Sequence, residues 1–204
     1  FDYACWLIVL AGFFDAMDGM MARLTNGSSL FGIELDSLSD VVSFGVAPGY
    51  LVYVFALSPF GILGLIIASL PAVCGAVRLA RFNVEFDGGE KSYYSGLPIP
   101  VQAVTIVVFI LSYIYVNGAA TAAPEGGIVL LIPVVVVLSV LMISTISFDA
   151  IPKPIPKEVR REPVKATLFL LGLMVIIVVG FTEWPHFGFL AVIGVYILVG
   201  LVRA

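Results

Sequence analysis

Apolar residues recur along this chain in runs far longer than one amphipathic face requires, at about 3–23, 33–57, 60–82, 98–117, 127–148, 165–182 and 187–203. Each approaches the ~20 residues that a helix needs to cross a bilayer. The gaps between them are short and polar or rich in Pro and Gly. Several runs are dense in Val and Ile, but their length favours helices over strands, and backbone in lipid must satisfy its own hydrogen bonds. The pattern predicts an all-α, polytopic transmembrane helical bundle with seven spans, forming a single integral membrane domain over residues 1–204.

The basic residues agree with this layout. Seven alternating spans put the ends after 23, 82, 148 and 203 on the same side as the starts before 33, 98 and 165. All ten Lys and Arg fall there: Arg23, Arg78, Arg81, Lys91, Lys153, Lys157, Arg160, Arg161, Lys165 and Arg203. The positive-inside rule makes that side cytoplasmic. Phe1 then lies outside, at the start of a span and without a Met. The expectation is a multi-pass protein of a prokaryotic inner or cell membrane, with an eighth, N-terminal span missing from this sequence. A native chain with its N-terminus outside is the alternative.

Composition sharpens the class. The chain is 61% apolar and 12% charged, against roughly 25% charged in an average soluble domain, and its mean hydropathy is +1.13. So few charges cannot cover a soluble surface, which excludes a cytosolic globular fold. The net charge of −4 argues against nucleic acid as a partner. Cys5 and Cys74 fall in different spans and read as small apolar packing residues. Tyr93 and Tyr94, before Gly96-Leu97-Pro98, read as interfacial aromatics, and His186, the one histidine, sits in an outer turn beside Trp184.

The charge has a location. Residues 15–40 hold five acids and one base, the whole of the surplus. A carboxylate at mid-bilayer costs ~2.5–3.5 kcal/mol, so four cost on the order of 10 kcal/mol unless compensated. Arg23 alone does not neutralise them. Asp15 and Asp18 are three apart and Asp36 and Asp40 four apart, so each pair shares one helix face. A short turn joins the two helices, and the faces can converge. Hard carboxylate oxygens in that arrangement suit Mg²⁺, Mn²⁺ or Ca²⁺. Four of them can hold two ions at the ~3.5–4 Å spacing used for in-line displacement at phosphorus. A polar, water-lined turn paired with Arg23 is the plainer account. Gly19 and Gly32 allow a backbone or ligand to approach closely, and Arg23 is placed to bind phosphate oxygens.

The string D-x2-D-G-x2-A-R-x8-G-x3-D-x3-D, filled by Asp15, Asp18, Gly19, Ala22, Arg23, Gly32, Asp36 and Asp40, resembles the signature of the CDP-alcohol phosphatidyltransferase family. That resemblance implies displacement of CMP from a CDP-linked lipid by an alcohol. The four aspartates would hold two divalent cations, Mg²⁺ or Mn²⁺, with Ca²⁺ as a non-productive occupant, and Asp40 would also be the general base. Asp18, Gly19, Ala22, Arg23 and Gly32 would line the nucleotide and phosphate pocket. It also implies a homodimer and a six-helix core, with residues 166–204 adding two helices.

Further strings resemble the phosphatidylserine synthase branch of that family: Leu35 to Pro48, Arg78-Leu79-Ala80-Arg81-Phe82-Asn83, and Ser95-Gly96-Leu97-Pro98-Ile99-Pro100. They imply CDP-diacylglycerol and L-serine as substrates, with phosphatidylserine and CMP as products. Arg78, Arg81 and Asn83 become candidates for binding the acceptor or a lipid phosphate; anchoring at the positive-inside face is the plainer account of the arginines. The rivals are the same chemistry with glycerol 3-phosphate, inositol phosphate or an archaeal ether-lipid donor, and, from another class, a divalent-cation transporter.

Overall fold

The computed structural model describes residues 1–25, 29–85, 93–117 and 125–149, together with Gly194 and Ile197; within α1 the side chains of Ala16 and of residues 19–25 lie outside that description. Five of the expected helices fall in this region: α1 (Asp2–Thr25), a second helix that begins as α2 (Leu30–Asp40) and continues through α3 (Ala47–Val52), α4 (Gly61–Glu85), α5 (Ile99–Asn117) and α6 (Glu125–Ile143). The run at 165–182, that at 187–203 apart from Gly194 and Ile197, His186 and the basic segment 153–165 lie outside the described residues.

The second helix is continuous from Leu30 to Leu57 but not uniform. Val41–Val46 and Tyr53–Leu57 are π-helical, with Ala47 N–H donating to Val42 O and Ser58 N–H to Tyr53 O. The periodicity of the sequence predicts one regular helix here. Proline explains the departure: a ring at position 48 has no N–H and collides with the carbonyl of residue 44 in an α-helix, and a wider turn upstream relieves both problems. Pro59 stands in the same relation to the second wide stretch.

Among the described residues, Phe31–Val84 is the one run long and apolar enough to cross a membrane, and Ile99–Tyr115 and Leu131–Ile143 are shorter apolar helices. The long run is not one rod. Ser58–Phe60 form a 3-10 turn and Gly61 takes φ +55°, a left-handed conformation that suits glycine, so α4 turns back along the second helix. Small residues set how closely the two approach. A Cβ on Gly45 would lie 2.8 Å from Ala72 Cα, and one on Gly49 would run into the Ala68 carbonyl.

α1 runs antiparallel to the second helix, with Phe1 edge-on to Phe55 at 5.2 Å and Gly12 against Phe44. Phe44, Phe55, Leu57, Ile106, Ile110 and Met142 are fully buried, so the core lies where these helices meet α5 and α6. Cys5 and Cys74 are buried free thiols, as small packing residues should be. Large apolar side chains point outward from every helix with a described surface: Tyr3 and Trp6 on α1, Phe31 and Leu38 on α2, Ile62 and Leu63 on α4. So much exposed apolar surface suits lipid or a partner rather than water.

One element departs from the helical expectation. Tyr93–Ser95 (β1) pairs antiparallel with Ser147–Asp149 (β2) in a two-stranded clip, in the register Tyr94 to Phe148. Gly96 takes φ +79°, with no room for a Cβ beside the Met142 carbonyl. Its N–H donates to Ile146 O at 2.9 Å and that of Leu97 to Leu141 O at 3.1 Å. Runs of three residues are too short for alternation to announce a strand.

Because a side chain at position 49 meets backbone that has no means of yielding, Gly49→Ala is expected to destabilise the protein by roughly 1–3 kcal/mol. Thermal unfolding in detergent measures this, with Gly12→Ala as the control. A Cβ at Gly12 meets only the Phe44 ring at 3.6 Å, and that variant should melt close to the wild type.

Candidate active site

α1 ends in a polar face. Ala11, Asp15 and Asp18 recur at i, i+4 and i+7, one stripe of a helix, and the small Ala11 leaves space beside the two carboxylates. α2 answers it with Asp36, Asp40 and, beyond the start of the π-helical stretch, Ser43. Ser29 fixes where α2 begins: its hydroxyl accepts from the Gly32 N–H at 3.0 Å, an N-cap that satisfies one of the orphan donors of the first turn. A Cβ on Gly32 would press on that hydroxyl at 3.2 Å.

These faces meet around a cavity of about 180 Å³ lined by Ala11, Phe14, Asp15, Asp18, Asp36, Ser39, Asp40, Ser43 and Phe44. Carboxylate oxygens of Asp15, Asp18 and Asp36 all lie within 4.8 Å of one another. Asp40 is within hydrogen-bonding contact of Asp15, so all four sequence-predicted aspartates come together. The donor set is oxygen only, with no thiol or imidazole lining the cavity, and it fits a hard divalent cation. Like charges at such distances repel strongly unless a cation or protons intervene.

A second, larger space adjoins the first. An apolar groove of about 510 Å³ runs between α1 and the second helix, walled by Leu7, Ile8, Tyr50, Leu51 and Val54 among others, and it shares Ala11 and Ser43 with the carboxylate cavity. A polar, acidic cavity thus adjoins an apolar groove.

The other candidates divide. Gly19, Ala22 and Arg23 lie in the last turns of α1, but what their side chains meet is outside the described residues. Arg78 is buried, 7% exposed, close enough to Asp40 for its charge to be felt there, and its guanidinium lies 5.9 Å from the Phe82 ring centroid. Arg81 points elsewhere. It donates to Ile143 O at 2.7 Å and to Ser144 O at 3.2 Å, meeting the carbonyls left open at the end of α6. Asn83 donates to Ser37 Oγ at 3.0 Å and to Glu34 Oε2 at 3.4 Å, both on α2.

Sequence reasoning did not single out Ser39, Ser43, Phe14 or Phe44 as lining this site. Ser43 was within reach of it, since it continues the 36–40 face at i+7; the aromatic walls carry no signal that separates them from core.

The CDP-alcohol phosphatidyltransferase family model matches residues 1–124. Among curated proteins, the CDP-diacylglycerol–serine O-phosphatidyltransferase of Helicobacter pylori strain J99 is 36% identical over 206 residues, covering 100% of this chain and 80% of that protein. The enzyme of the same name from Methanocaldococcus jannaschii is 35% identical over 200 residues, 97% of this chain and 82% of that protein. Archaetidylserine synthase of Methanothermobacter thermautotrophicus is 41% identical over 150 residues, 72% of this chain and 58% of that protein.

The crowding of carboxylates makes a stability prediction. In excess chelator, Asp36→Asn is expected to raise the melting temperature, because it removes one of three charges held within 4.8 Å. A lower or unchanged melting temperature would mean that the carboxylates do not repel one another in the metal-free protein.

Proposed function

Because this chain belongs to the CDP-alcohol phosphatidyltransferase family, we propose that it transfers the phosphatidyl group of CDP-diacylglycerol to L-serine, giving phosphatidylserine and CMP. The observation that carries the reading is the carboxylate cavity adjoining an apolar groove, with Ala11 and Ser43 in both walls. A CDP-linked lipid has that same division, a pyrophosphate at one end and acyl chains at the other. Serine is the acceptor because it stands in the names of relatives that match nearly the whole chain. The 78–83 and 95–100 strings point to the same branch.

Asp15, Asp18, Asp36 and Asp40 are the residues that would hold two divalent cations, Mg²⁺ or Mn²⁺. Such ions, when bound, neutralise the pyrophosphate and stabilise the departing CMP. Asp40 takes the proton of the serine hydroxyl as its oxygen bonds to the lipid-side phosphorus, and the bond from that phosphorus to the bridging oxygen breaks, releasing CMP. Gly19, Ala22, Arg23 and Gly32 line the nucleotide end. Arg78, buried beside Asp40, is placed to hold the serine carboxylate or a lipid phosphate as a charge-assisted hydrogen-bond donor. The groove walled by Leu7, Ile8, Tyr50 and Leu51 takes an acyl chain of the donor.

The chain works as one multi-pass membrane domain with its active site toward the cytoplasm, the side on which all ten Lys and Arg fall in the seven-span layout. The family resemblance also implies a homodimer. An ether-lipid donor is the second reading, favoured by the 41% identity to archaetidylserine synthase.

In nanodiscs, CMP release from CDP-diacylglycerol is expected with L-serine but not with glycerol 3-phosphate or inositol phosphate; release with glycerol 3-phosphate alone overturns the acceptor. Excess chelator should stop turnover, and Mn²⁺ or Mg²⁺ should restore it. A CDP-archaeol arm separates the two donors. Asp40→Asn is expected to lower kcat by about 10²-fold or more while CDP-lipid still binds. Full activity of that variant refutes the base.

A further inference from the structure

α2 carries half of the four aspartates, yet among the described residues nothing covers one flank of it. Phe31, Leu35 and Leu38 recur at i, i+4 and i+7, and all three are exposed, so this stripe faces outward. The opposite pull is electrostatic, because Asp36 lies within 4.8 Å of the carboxylates of α1 and is repelled by them. With an exposed apolar stripe on one side and repulsion on the other, α2 relies for its rotation on its continuity with the packed helix beyond Asp40 and on its remaining flank.

The remaining flank is held. Glu34 and Ser37, at i and i+3, share a face that lies about 110° around the helix from the face of Asp36 and Asp40, at 100° per residue. Both receive the Asn83 amide from the end of α4, at 3.0 Å to Ser37 Oγ and 3.4 Å to Glu34 Oε2. The hydrogen count closes. The Ser37 hydroxyl gives its own proton to Ile33 O at 3.0 Å, leaving its oxygen to accept, and the two N–H bonds of the amide serve the two acceptors. Turned over, the amide would set its oxygen against the Glu34 carboxylate and face a hydroxyl whose proton is already committed.

We propose that Asn83 is a positioning residue: through Ser37 and Glu34 it sets the rotation of α2, and so keeps Asp36 and Asp40 turned toward Asp15 and Asp18. This rests on the reading of the aspartates as cation ligands. It gives Asn83 a task other than touching the acceptor, at the end of a helix where the charge of Arg78 is felt at Asp40 and Arg81 reaches the end of α6.

The test is Mn²⁺ binding to the full chain in nanodiscs, followed by the electron paramagnetic resonance signal of free Mn²⁺, for wild type, Asn83→Ala, Ser37→Ala, Ser37→Thr and the Asn83→Ala/Ser37→Ala pair. Each alanine variant is expected to weaken binding roughly 10-fold, the size of effect that partners behind metal ligands typically have. The double variant should be little worse than Asn83→Ala, since Ser37→Ala removes one of the two contacts that Asn83→Ala already removes. Ser37→Thr keeps the hydroxyl and should keep the affinity. In turnover, the Mn²⁺ concentration for half-maximal rate should rise while KM for serine holds. Ser37→Ala retains Asn83 and keeps the test decisive even where Asn83→Ala fails to fold. Unchanged Mn²⁺ affinity with a lower melting temperature, fully additive losses, or a rise in KM for serine alone would each overturn the proposal. Absence of Mn²⁺ binding by the wild type would instead overturn the aspartate reading itself, and the proposal with it.

Discussion

The constraint on which the rest of the structure depends is the gathering of like charges. Asp15, Asp18 and Asp36 crowd within 4.8 Å on helices that are otherwise apolar, with Asp40 against Asp15. Bringing carboxylates together is unfavourable even with Asp18 and Asp36 exposed, and hydrophobic packing alone offers no reason to do it. The neighbouring elements therefore read as a frame that holds two acidic helix faces in opposition.

That frame begins in the second helix. Pro48 forces a wide turn directly after Asp40, and the wide turn changes which face the helix presents downstream. Before it the helix turns carboxylates toward α1; within and beyond it, Gly45 and Gly49 face α4 and let the backbones nearly touch. One helix thus serves two partners with different faces. A uniform α-helix would keep a single register along its length and would have to compromise one contact or the other.

The end of α4 is where the parts are tied together. Over six residues its side chains go three ways: Arg78 inward near Asp40, Arg81 to the carbonyls that close α6, and Asn83 across to α2. The β1–β2 clip and the backbone bonds of Gly96 and Leu97 bind the α4–α5 connection to the end of α6. These are short-range polar contacts at the rim of an apolar bundle.

Much of this was legible in the chain. Helix positions follow from runs of apolar residues because burial in lipid needs length and little else, and five of the seven runs appear as helices within a few residues of their expected ends. The four aspartates were legible because spacings of three and four can place them on only one face each. What the linear pattern does not encode is which of several polar residues at one helix end meets which partner. Arg78, Arg81 and Asn83 look alike as candidates for a bound anion, yet only Arg78 is buried beside the carboxylates. The distinction depends on the rotation of α4 and on where α2 and α6 end, which are set by contacts between residues 46 to 63 positions apart. The chain by itself determined the membrane helices and the acidic pair on each of two faces, because both follow from local periodicity. Tertiary structure alone decided the wide turn's consequences, the strand clip and the separate tasks of the three α4 side chains, because each is a matter of distance across the fold.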